Sequence, residues 1–201
     1  VKSAKWKVGE ETAFRALGRL HEETGEGGPV SWHKMGEGWS WIQRPGTEED
    51  HAADAAEGWA QIKRDLAAEA ANAGEVPVGA VVTLGDEIIA ESGNAMRGSA
   101  DPTAHAEMVA IRAAAERLGS PRLDQCALWV TLEPCAMCAA AMAVARIAAL
   151  RFGAEDPKGG GVIHGARIFA QPTCHHRPDV LGGIGEAEAA AQLREFFAAR
   201  R

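Results

Sequence analysis

The chain has 201 residues, of which 46% are hydrophobic and 24% are charged, and its formal net charge is −7. This length is sufficient for one well-buried domain with an appendage, and the negative charge excludes a general affinity for nucleic acid, so any RNA contact must rest on a local basic patch. No apolar run approaches the roughly 18 residues of a membrane span and no leader peptide is recognisable, so we expect a cytoplasmic protein without membrane association.

The first part of the chain differs in composition from the rest. Five of the six tryptophans lie at or before Trp59, and residues 22–54 mix Gly, Pro, Ser and acidic residues without a sustained period. Residues 1–57 carry 7 basic and 11 acidic residues, whereas residues 58–201 carry 14 and 17. We therefore predict an N-terminal extension over 1–57, partly disordered, and a functional domain over 58–201.

Helices and strands alternate in the rest of the chain. In order, the patterns predict a helix over 59–73, strands over 78–84 and 87–90 around the Gly85-Asp86 turn, a helix with Asp101 or Thr103 as cap that carries His105, a strand over 128–131, a helix with Pro134 at its first position, a strand over 147–152 and a helix over 187–199. Such alternation indicates a layered α/β sheet.

Two short motifs supply ligands for a metal ion. One is His105-Ala106-Glu107, and the other runs from Pro134 through Cys135 to Cys138. Because the two cysteines are three residues apart, a helix that begins at Pro134 would project both thiols from one face of its first turn. Structural zinc sites normally use four protein ligands, whereas catalytic ones use three and leave the fourth position to water. His105, Cys135 and Cys138 therefore predict a catalytic zinc site.

Glu107 completes the predicted chemistry. It lies two residues beyond His105, about 200° around an ideal helix, so we expect a neighbour of the metal and not a ligand. A carboxylate beside a metal-activated water can take its proton and later deliver it to a departing amine. The motifs together are typical of nucleobase deaminases, which replace an aryl amine by oxygen.

From about residue 74 onward, the chain resembles the bacterial tRNA-specific adenosine deaminases of the cytidine deaminase-like superfamily. Five blocks carry the resemblance in the right order: Gly-Glu-Val-Pro-Val-Gly-Ala-Val over 74–81, Asp-Pro-Thr-Ala-His-Ala-Glu over 101–107, Thr-Leu-Glu-Pro-Cys-Ala-Met-Cys over 131–138, Phe-Gly-Ala over 152–154, and Phe196-Phe197 before Arg200-Arg201.

The resemblance implies a three-layer α/β/α fold with a central mixed sheet of about five strands. It also implies a homodimer that flips the wobble adenosine of a tRNA anticodon stem-loop into a pocket and converts it to inosine. It places one zinc ion per subunit on His105, Cys135 and Cys138, and the proton shuttle on Glu107. Asn94 matches the position that hydrogen-bonds the target base, and Val76 matches a pocket wall. Ala95 and Met96 depart from the family, which often has more polar or Pro-containing sequence there.

Other residues have two interpretations each. Lys158, followed by three glycines, is either a phosphate contact on a mobile loop or an ordinary exposed lysine. The run Cys174-His175-His176 is either a second metal cluster or, as we prefer, part of a surface or substrate loop. We expect Cys126 to be a small core residue and Glu133 to anchor the turn before Pro134 without a catalytic role.

Two alternative functions stay open at this point. A deaminase of free cytidine, deoxycytidylate or guanine would keep the zinc site and change the pocket. A non-catalytic, zinc-stabilised binding module would require a fourth protein ligand to the metal.

Overall fold

The computed structural model describes the backbone of residues 30–35, 38–43 and 48–200 and the side chains of residues 57–200. The chain divides into two compact units, Val1–Gly58 and Trp59–Arg201. In the described part of the first unit, strands β1 (Val30–Met35) and β2 (Gly38–Gln43) form an antiparallel pair. The sequence patterns indicated no strand there. Partial disorder was expected over residues 1–57, and residues 1–29, 36, 37 and 44–47 of that range lie outside the described residues.

The remaining elements are helices and strands in near alternation. In chain order they are α1 (Glu48–Asn72), β3 (Gly79–Leu84), β4 (Glu87–Gly93), α2 (Ala106–Leu118), β5 (Cys126–Leu132), α3 (Ala136–Ala145), β6 (Ala149–Ala154), a 3-10 turn (Ile168–Ala170), β7 (Asp179–Leu181) and α4 (Glu186–Ala198).

Five of these strands form one mixed sheet in the order β4-β3-β5-β6-β7. Strand β3 is antiparallel to both of its neighbours, whereas β5, β6 and β7 are mutually parallel. In the parallel pair of β5 and β6, Val130 lies opposite Phe152. The expected mixed sheet of about five strands is therefore confirmed.

Helices cover both faces of the sheet. On one face, Val82 of β3 shares a buried core with Ala110 of α2 and Met142 of α3. On the other face, α1 approaches so closely that a Cβ on Gly79 would clash with the carbonyl oxygen of Lys63. Helix α4 lies on the same face, where a Cβ on Gly153 would lie 3.3 Å from the Cβ of Ala189. The arrangement confirms the predicted three-layer α/β/α fold.

Several elements differ from their predicted bounds by a few residues, and α1 and β7 depart most from the prediction for residues 58–201. Helix α1 begins at Glu48, eleven residues before the predicted start at 59, because residues 48–57 are rich in Ala and Glu, which favour helix, and in acidic side chains, which favour its N-terminus. Strand β7 has only three residues and was not predicted, since so short a segment shows no alternation of its own. Among the described residues, no helix combines the length and hydropathy that crossing a bilayer requires.

Candidate active site

Two helix N-termini each present a ligand side chain at the site. His105 and Cys135 are the N-cap residues of α2 and α3. Their carbonyl oxygens accept the first intrahelical hydrogen bonds, from the backbone N–H groups of Val109 at 3.0 Å and Ala139 at 2.9 Å. The His105 side chain makes no capping hydrogen bond to α2, and the Cys135 sulfur forms a hydrogen bond with that of Cys138 in the first turn of α3. The two N-cap side chains turn toward each other, with His105 Nδ1 3.6 Å from Cys135 Sγ.

The predicted starts of these helices are wrong by a few residues. Asp101 does not cap α2; its Oδ1 accepts hydrogen bonds from the backbone N–H and the hydroxyl of Thr103, both at 2.7 Å, and so closes a turn that leads into His105. Pro134 lies before the N-cap of α3 rather than at its first helical position. The physical reason is that each motif needs its first ligand outside the helix, where the side chain is not confined to the helical face.

Three ligand atoms converge on one point. His105 Nδ1 lies 3.6 Å from the Sγ atoms of both Cys135 and Cys138, and the two sulfurs are 3.7 Å apart. A tetrahedral zinc ion with bonds of about 2.3 Å to sulfur and about 2.0–2.1 Å to nitrogen would separate the two sulfurs by about 3.8 Å, and sulfur from nitrogen by about 3.6 Å. The triangle of donors therefore fits a zinc ion, and within residues 57–200 no other group of His, Cys, Asp and Glu side chains is arranged to hold a metal.

The thiols of this group are strongly coupled. The hydrogen bond with Cys138 and the neighbouring His105 lower the pKa of the Cys135 thiol to about 4, although burial opposes this. The same hydrogen bond and burial raise the pKa of Cys138, while the bond with Cys135 raises the pKa of His105. A cation at the centre of the triangle would replace the shared proton, so both sulfurs would bind as thiolates.

Glu107 lies in the first turn of α2 and is only 4% exposed. Burial raises the pKa of its carboxyl group, and its backbone N–H group and the charge of His105 oppose that shift only partly. Its side chain reaches the hydrogen-bonding range of Cys138 without joining the three ligand atoms. Because His105 precedes the helix, the separation of 200° expected on an ideal helix does not apply, and the carboxyl group lies on the same side as the cysteines.

Asn94 follows directly after β4 and is 7% exposed. Its backbone N–H donates to the carbonyl oxygen of Val78 at 2.9 Å, and the next residue, Ala95, donates to Ala104 at 3.0 Å. These bonds hold the Asn94 segment against the residue that precedes His105. Val76 is half-buried and packs against the main core.

The role of Glu133 was underestimated from the sequence. This carboxylate is 2% exposed, and its Oε1 accepts the backbone N–H groups of Val162, Ile163 and His164 at 2.9–3.1 Å. Its Oε2 accepts the N–H of Asp156 at 3.1 Å and lies 2.7 Å from the ring Nδ1 of His164. Glu133 thus organises the whole segment 156–164. A lone glutamate before proline gave no signal of this, since all of its partners lie at least 23 residues away.

Lys158 is exposed on the same segment. The glycines that follow it allow close packing: a Cβ on Gly160 would lie 2.5 Å from the Glu133 carboxyl carbon, and one on Gly161 would lie 2.4 Å from the backbone nitrogen of Ala136. The loop that carries Lys158 is therefore fastened to the start of α3.

The run Cys174-His175-His176 does not form a metal group with other described residues. The Cys174 thiol donates to the carbonyl oxygen of His176 at 3.0 Å, and Nε2 of His176 lies 2.6 Å from the carbonyl oxygen of Ile147. The run fastens its loop to the residues before β6. Cys126 is a buried core residue, as expected, and all four cysteines are free of disulfides.

Known proteins share this arrangement. A tRNA-specific adenosine deaminase from Agrobacterium fabrum is 56% identical over 136 residues, which cover 66% of this chain and 90% of the relative. Another from Aquifex aeolicus is 47% identical over 125 residues, or 62% of this chain and 82% of the relative. A solved structure from a study of A-to-I editing by tRNA:A34 deaminases at the wobble position is 51% identical, covers 68% of this chain and 99% of its own, and has a TM-score of 0.67.

The MafB19-like deaminase family matches residues 55–197. This range includes the first four sequence blocks, Phe196-Phe197 of the fifth, the mixed sheet and all the ligand atoms described above. The chain therefore belongs to the MafB19-like deaminase family and has the cytidine deaminase-like fold.

Proposed function

We propose that this protein is a zinc-dependent deaminase that converts adenosine to inosine at the wobble position of a tRNA anticodon loop. The observation that carries the proposal is the triangle of His105, Cys135 and Cys138 with the buried Glu107 beside it, in a chain 56% identical to a tRNA-specific adenosine deaminase. The net reaction consumes water and adenosine and yields inosine and ammonia.

His105 Nδ1 and the sulfurs of Cys135 and Cys138 would hold one zinc ion per subunit. One imidazole and two thiolates form a donor set that zinc favours, and three protein ligands are typical of catalytic sites. When bound in such a site, zinc lowers the pKa of a water ligand to about 7 and so supplies hydroxide at neutral pH.

Glu107 moves the protons of the reaction. Its carboxylate accepts a proton from the attacking water and passes it to a ring nitrogen of the base. It then takes the second proton from the hydroxyl group that has added to the ring and delivers it to the amine, which leaves as ammonia. Burial supports this role, because a carboxyl group whose pKa is raised exchanges protons more easily near neutral pH.

Asn94 and Val76 bind the target base, and Lys158 contacts phosphate. A base within a stacked loop is reached only after it is flipped out, so the pocket has to replace its lost stacking and pairing. The exposed Arg97, in the segment that Asn94 begins, adds positive charge there and donates to the carbonyl oxygen of Gly74 at 3.3 Å. Local cations of this kind reconcile an RNA substrate with a net charge of −7.

The remaining assignments concern the whole chain. Residues 58–201 form the deaminase domain, and residues 1–57 form an extension to it. The protein acts as a homodimer in the cytoplasm; the family resemblance implies the dimer, and four cysteines without disulfides are compatible with a reducing compartment.

The test is incubation of the purified, zinc-loaded protein with an anticodon stem-loop that carries adenosine at the wobble position. We expect inosine at that position only, detected by nuclease digestion and mass spectrometry. A stem-loop with guanosine at the wobble position, but with the same adenosines elsewhere, is the matched control and should yield none. Absence of inosine from the first stem-loop, together with turnover of free adenosine, cytidine or guanine, would replace this proposal by a deaminase of free compounds.

A further inference from the structure

The residue that precedes Val76 has a part in the site that neither the sequence motifs nor the ligand triangle reveals. Glu75 follows the end of α1, where Gly74 adopts a φ of +84° that turns the chain toward β3. Its side chain is only 4% exposed. Burial of a carboxylate costs free energy unless hydrogen bonds compensate for its lost hydration. The hydrogen-bond partners of Glu75 therefore indicate its role.

All three hydrogen-bond donors to this carboxylate among the described residues belong to the segment that begins with Asn94. Glu75 Oε1 accepts the backbone N–H groups of Arg97 at 2.7 Å and Gly98 at 2.8 Å. Glu75 Oε2 accepts a hydrogen bond from the Asn94 side-chain nitrogen, Nδ2, at 3.1 Å. One oxygen thus fixes the backbone of the loop, and the other fixes the amide of Asn94.

The second contact determines which way the amide points. A carboxylate oxygen only accepts hydrogen bonds, so the nitrogen of Asn94 has to face Glu75 and its oxygen has to face the opposite side. Within residues 57–200, Oδ1 of Asn94 accepts no hydrogen bond, and it is not fully enclosed by protein. The oxygen is therefore available as an acceptor to a bound molecule.

We propose that Glu75 is a positioning residue that holds the Asn94 amide with its oxygen toward the substrate, so that the pocket selects a hydrogen-bond donor of the target nucleotide. This inference rests on the proposed function. The donor is either the exocyclic amine that is removed or a ribose hydroxyl. In both cases, if the Asn94 amide were reversed, its N–H group would face the N–H or O–H group of the substrate, and no hydrogen bond could form.

The substitution Glu75→Gln separates this role from that of a structural support. With its oxygen kept on Arg97 and Gly98, the new amide presents N–H₂ to Asn94, and the Asn94 amide has to rotate to offer its oxygen. If the glutamine amide took the opposite orientation, its NH₂ group would face the backbone N–H groups of Arg97 and Gly98. Two unsatisfied backbone donors cost more free energy than the rotation of the Asn94 side chain. The loop is preserved, and the polarity that the substrate meets is reversed.

The experiment is a double-mutant cycle on the wobble stem-loop with Glu75→Gln, Asn94→Ala and both together, and Glu116→Gln as an exposed control. We expect kcat/KM to fall about ten- to a hundredfold in each single variant, the range of a hydrogen bond that involves a charged or buried group. In the double variant we expect no further loss beyond Asn94→Ala, because Glu75 acts through Asn94. Melting temperature and zinc content should match the wild type in Glu75→Gln.

Two outcomes would overturn the positioning role while the proposed function stands. One is full activity in Glu75→Gln, and the other is a double variant in which the losses of kcat/KM from the two single variants multiply. A stem-loop with 2′-deoxyadenosine at the wobble position separates the two donors: if the ribose hydroxyl is the partner, the effect of Glu75→Gln disappears on it, and if the amine is the partner, the effect is retained.

A wild-type protein that produces no inosine would overturn the proposed function, and the orientation of Asn94 is then decided without turnover. In ¹⁵N-labelled protein, the side-chain N–H protons of Asn94 are identified by their loss in Asn94→Ala. One of them should exchange slowly with solvent in the wild type and rapidly in Glu75→Gln. Equal exchange in both proteins would contradict the inference.

Discussion

Glu107 and Glu133 are both buried glutamates at the edge of the ligand triangle, yet their surroundings shift their pKa values in opposite directions. Glu107 has few donors around it, so burial raises its pKa. Burial also tends to raise the pKa of Glu133. This effect is outweighed by the hydrogen bonds that the carboxylate accepts, which lower the pKa; the donors are the backbone and ring N–H groups of His164 and the backbone N–H groups of Asp156 and Ile163. The number of donors, and not burial alone, therefore separates a carboxyl group suited to proton transfer from one that holds a loop.

The same substitution at the two positions should have opposite consequences. Glu107→Gln keeps the shape of the side chain and removes its ability to accept a proton. We expect activity on the wobble stem-loop to fall about 10²- to 10⁴-fold, the usual contribution of general acid–base catalysis. Zinc content, measured by atomic emission, should remain stoichiometric, and the melting temperature should equal or exceed that of the wild type, because a neutral amide avoids the cost of a buried charge. Loss of zinc together with activity would show that Glu107 is a ligand.

Removal of the metal tests the ligand triangle directly. Cys138→Ala deletes one of the two sulfurs, and we expect zinc to fall well below one ion per chain and activity to be lost. The thermal stability should fall too, since metal affinity that is present only in the folded state contributes to folding. A chelator applied to the wild type should reproduce the loss, and added zinc should reverse it. Cys126→Ala is the matched control, because that buried thiol is not part of the triangle. Stoichiometric zinc in Cys138→Ala would refute the assignment.

Glu133→Gln should affect stability more than chemistry. In the wild type, both carboxylate oxygens of Glu133 accept hydrogen bonds. The variant amide replaces one of these oxygens by an NH₂ group, so at least one buried N–H group loses its acceptor. We expect a loss of about 1.5–3 kcal/mol in the free energy of unfolding, measured by urea titration. Activity should fall much less than in Glu107→Gln. If Glu133→Gln instead matched Glu107→Gln in activity and left stability unchanged, the contrast between the two carboxyl groups would be lost.

The contact between Glu133 and His164 should give a pH-dependent contribution to stability. The hydrogen bond with Glu133 raises the pKa of His164 above 6.5, so its contribution is complete below pH 6.5 and is lost as the pH rises through the folded-state value. The pKa of Glu133 is lowered from 4.5, so its contribution is present above pH 4.5 and is lost at lower pH. The difference in melting temperature between wild type and His164→Ala should therefore be largest from about pH 4.5 to 6.5 and should decrease toward pH 8. A difference that grows with pH would contradict this account. The effect should be small, since the imidazole is partly exposed.

Local patterns were sufficient to predict much of the molecule. Short apolar segments predicted β3, β5 and β6, and the closing helix was predicted to within one residue at each end. The donor types and the three-residue spacing of Cys135 and Cys138 identified a metal site, which the triangle of 3.6–3.7 Å distances supports.

Other features had no local pattern to reveal them. The antiparallel pair of β1 and β2 lies in a region that mixes Gly, Pro and acidic residues, so periodicity was absent. The exact starts of α2 and α3 accompany the approach of His105 and Cys135, which are 30 residues apart in the sequence, and capping preferences alone did not predict them.

By itself, the sequence determined the chemical groups of this protein and the order of its helices and strands, because side-chain identity, spacing and periodicity are local properties. The motif around His105 already indicated a role for Glu107, but only the tertiary structure decided which donors surround each buried carboxylate. Glu75 and Glu133 accept hydrogen bonds from residues 19 to 31 positions away, whereas burial dominates at Glu107. A contact of that kind depends on the folded path of the whole chain, and no window of neighbouring residues contains it.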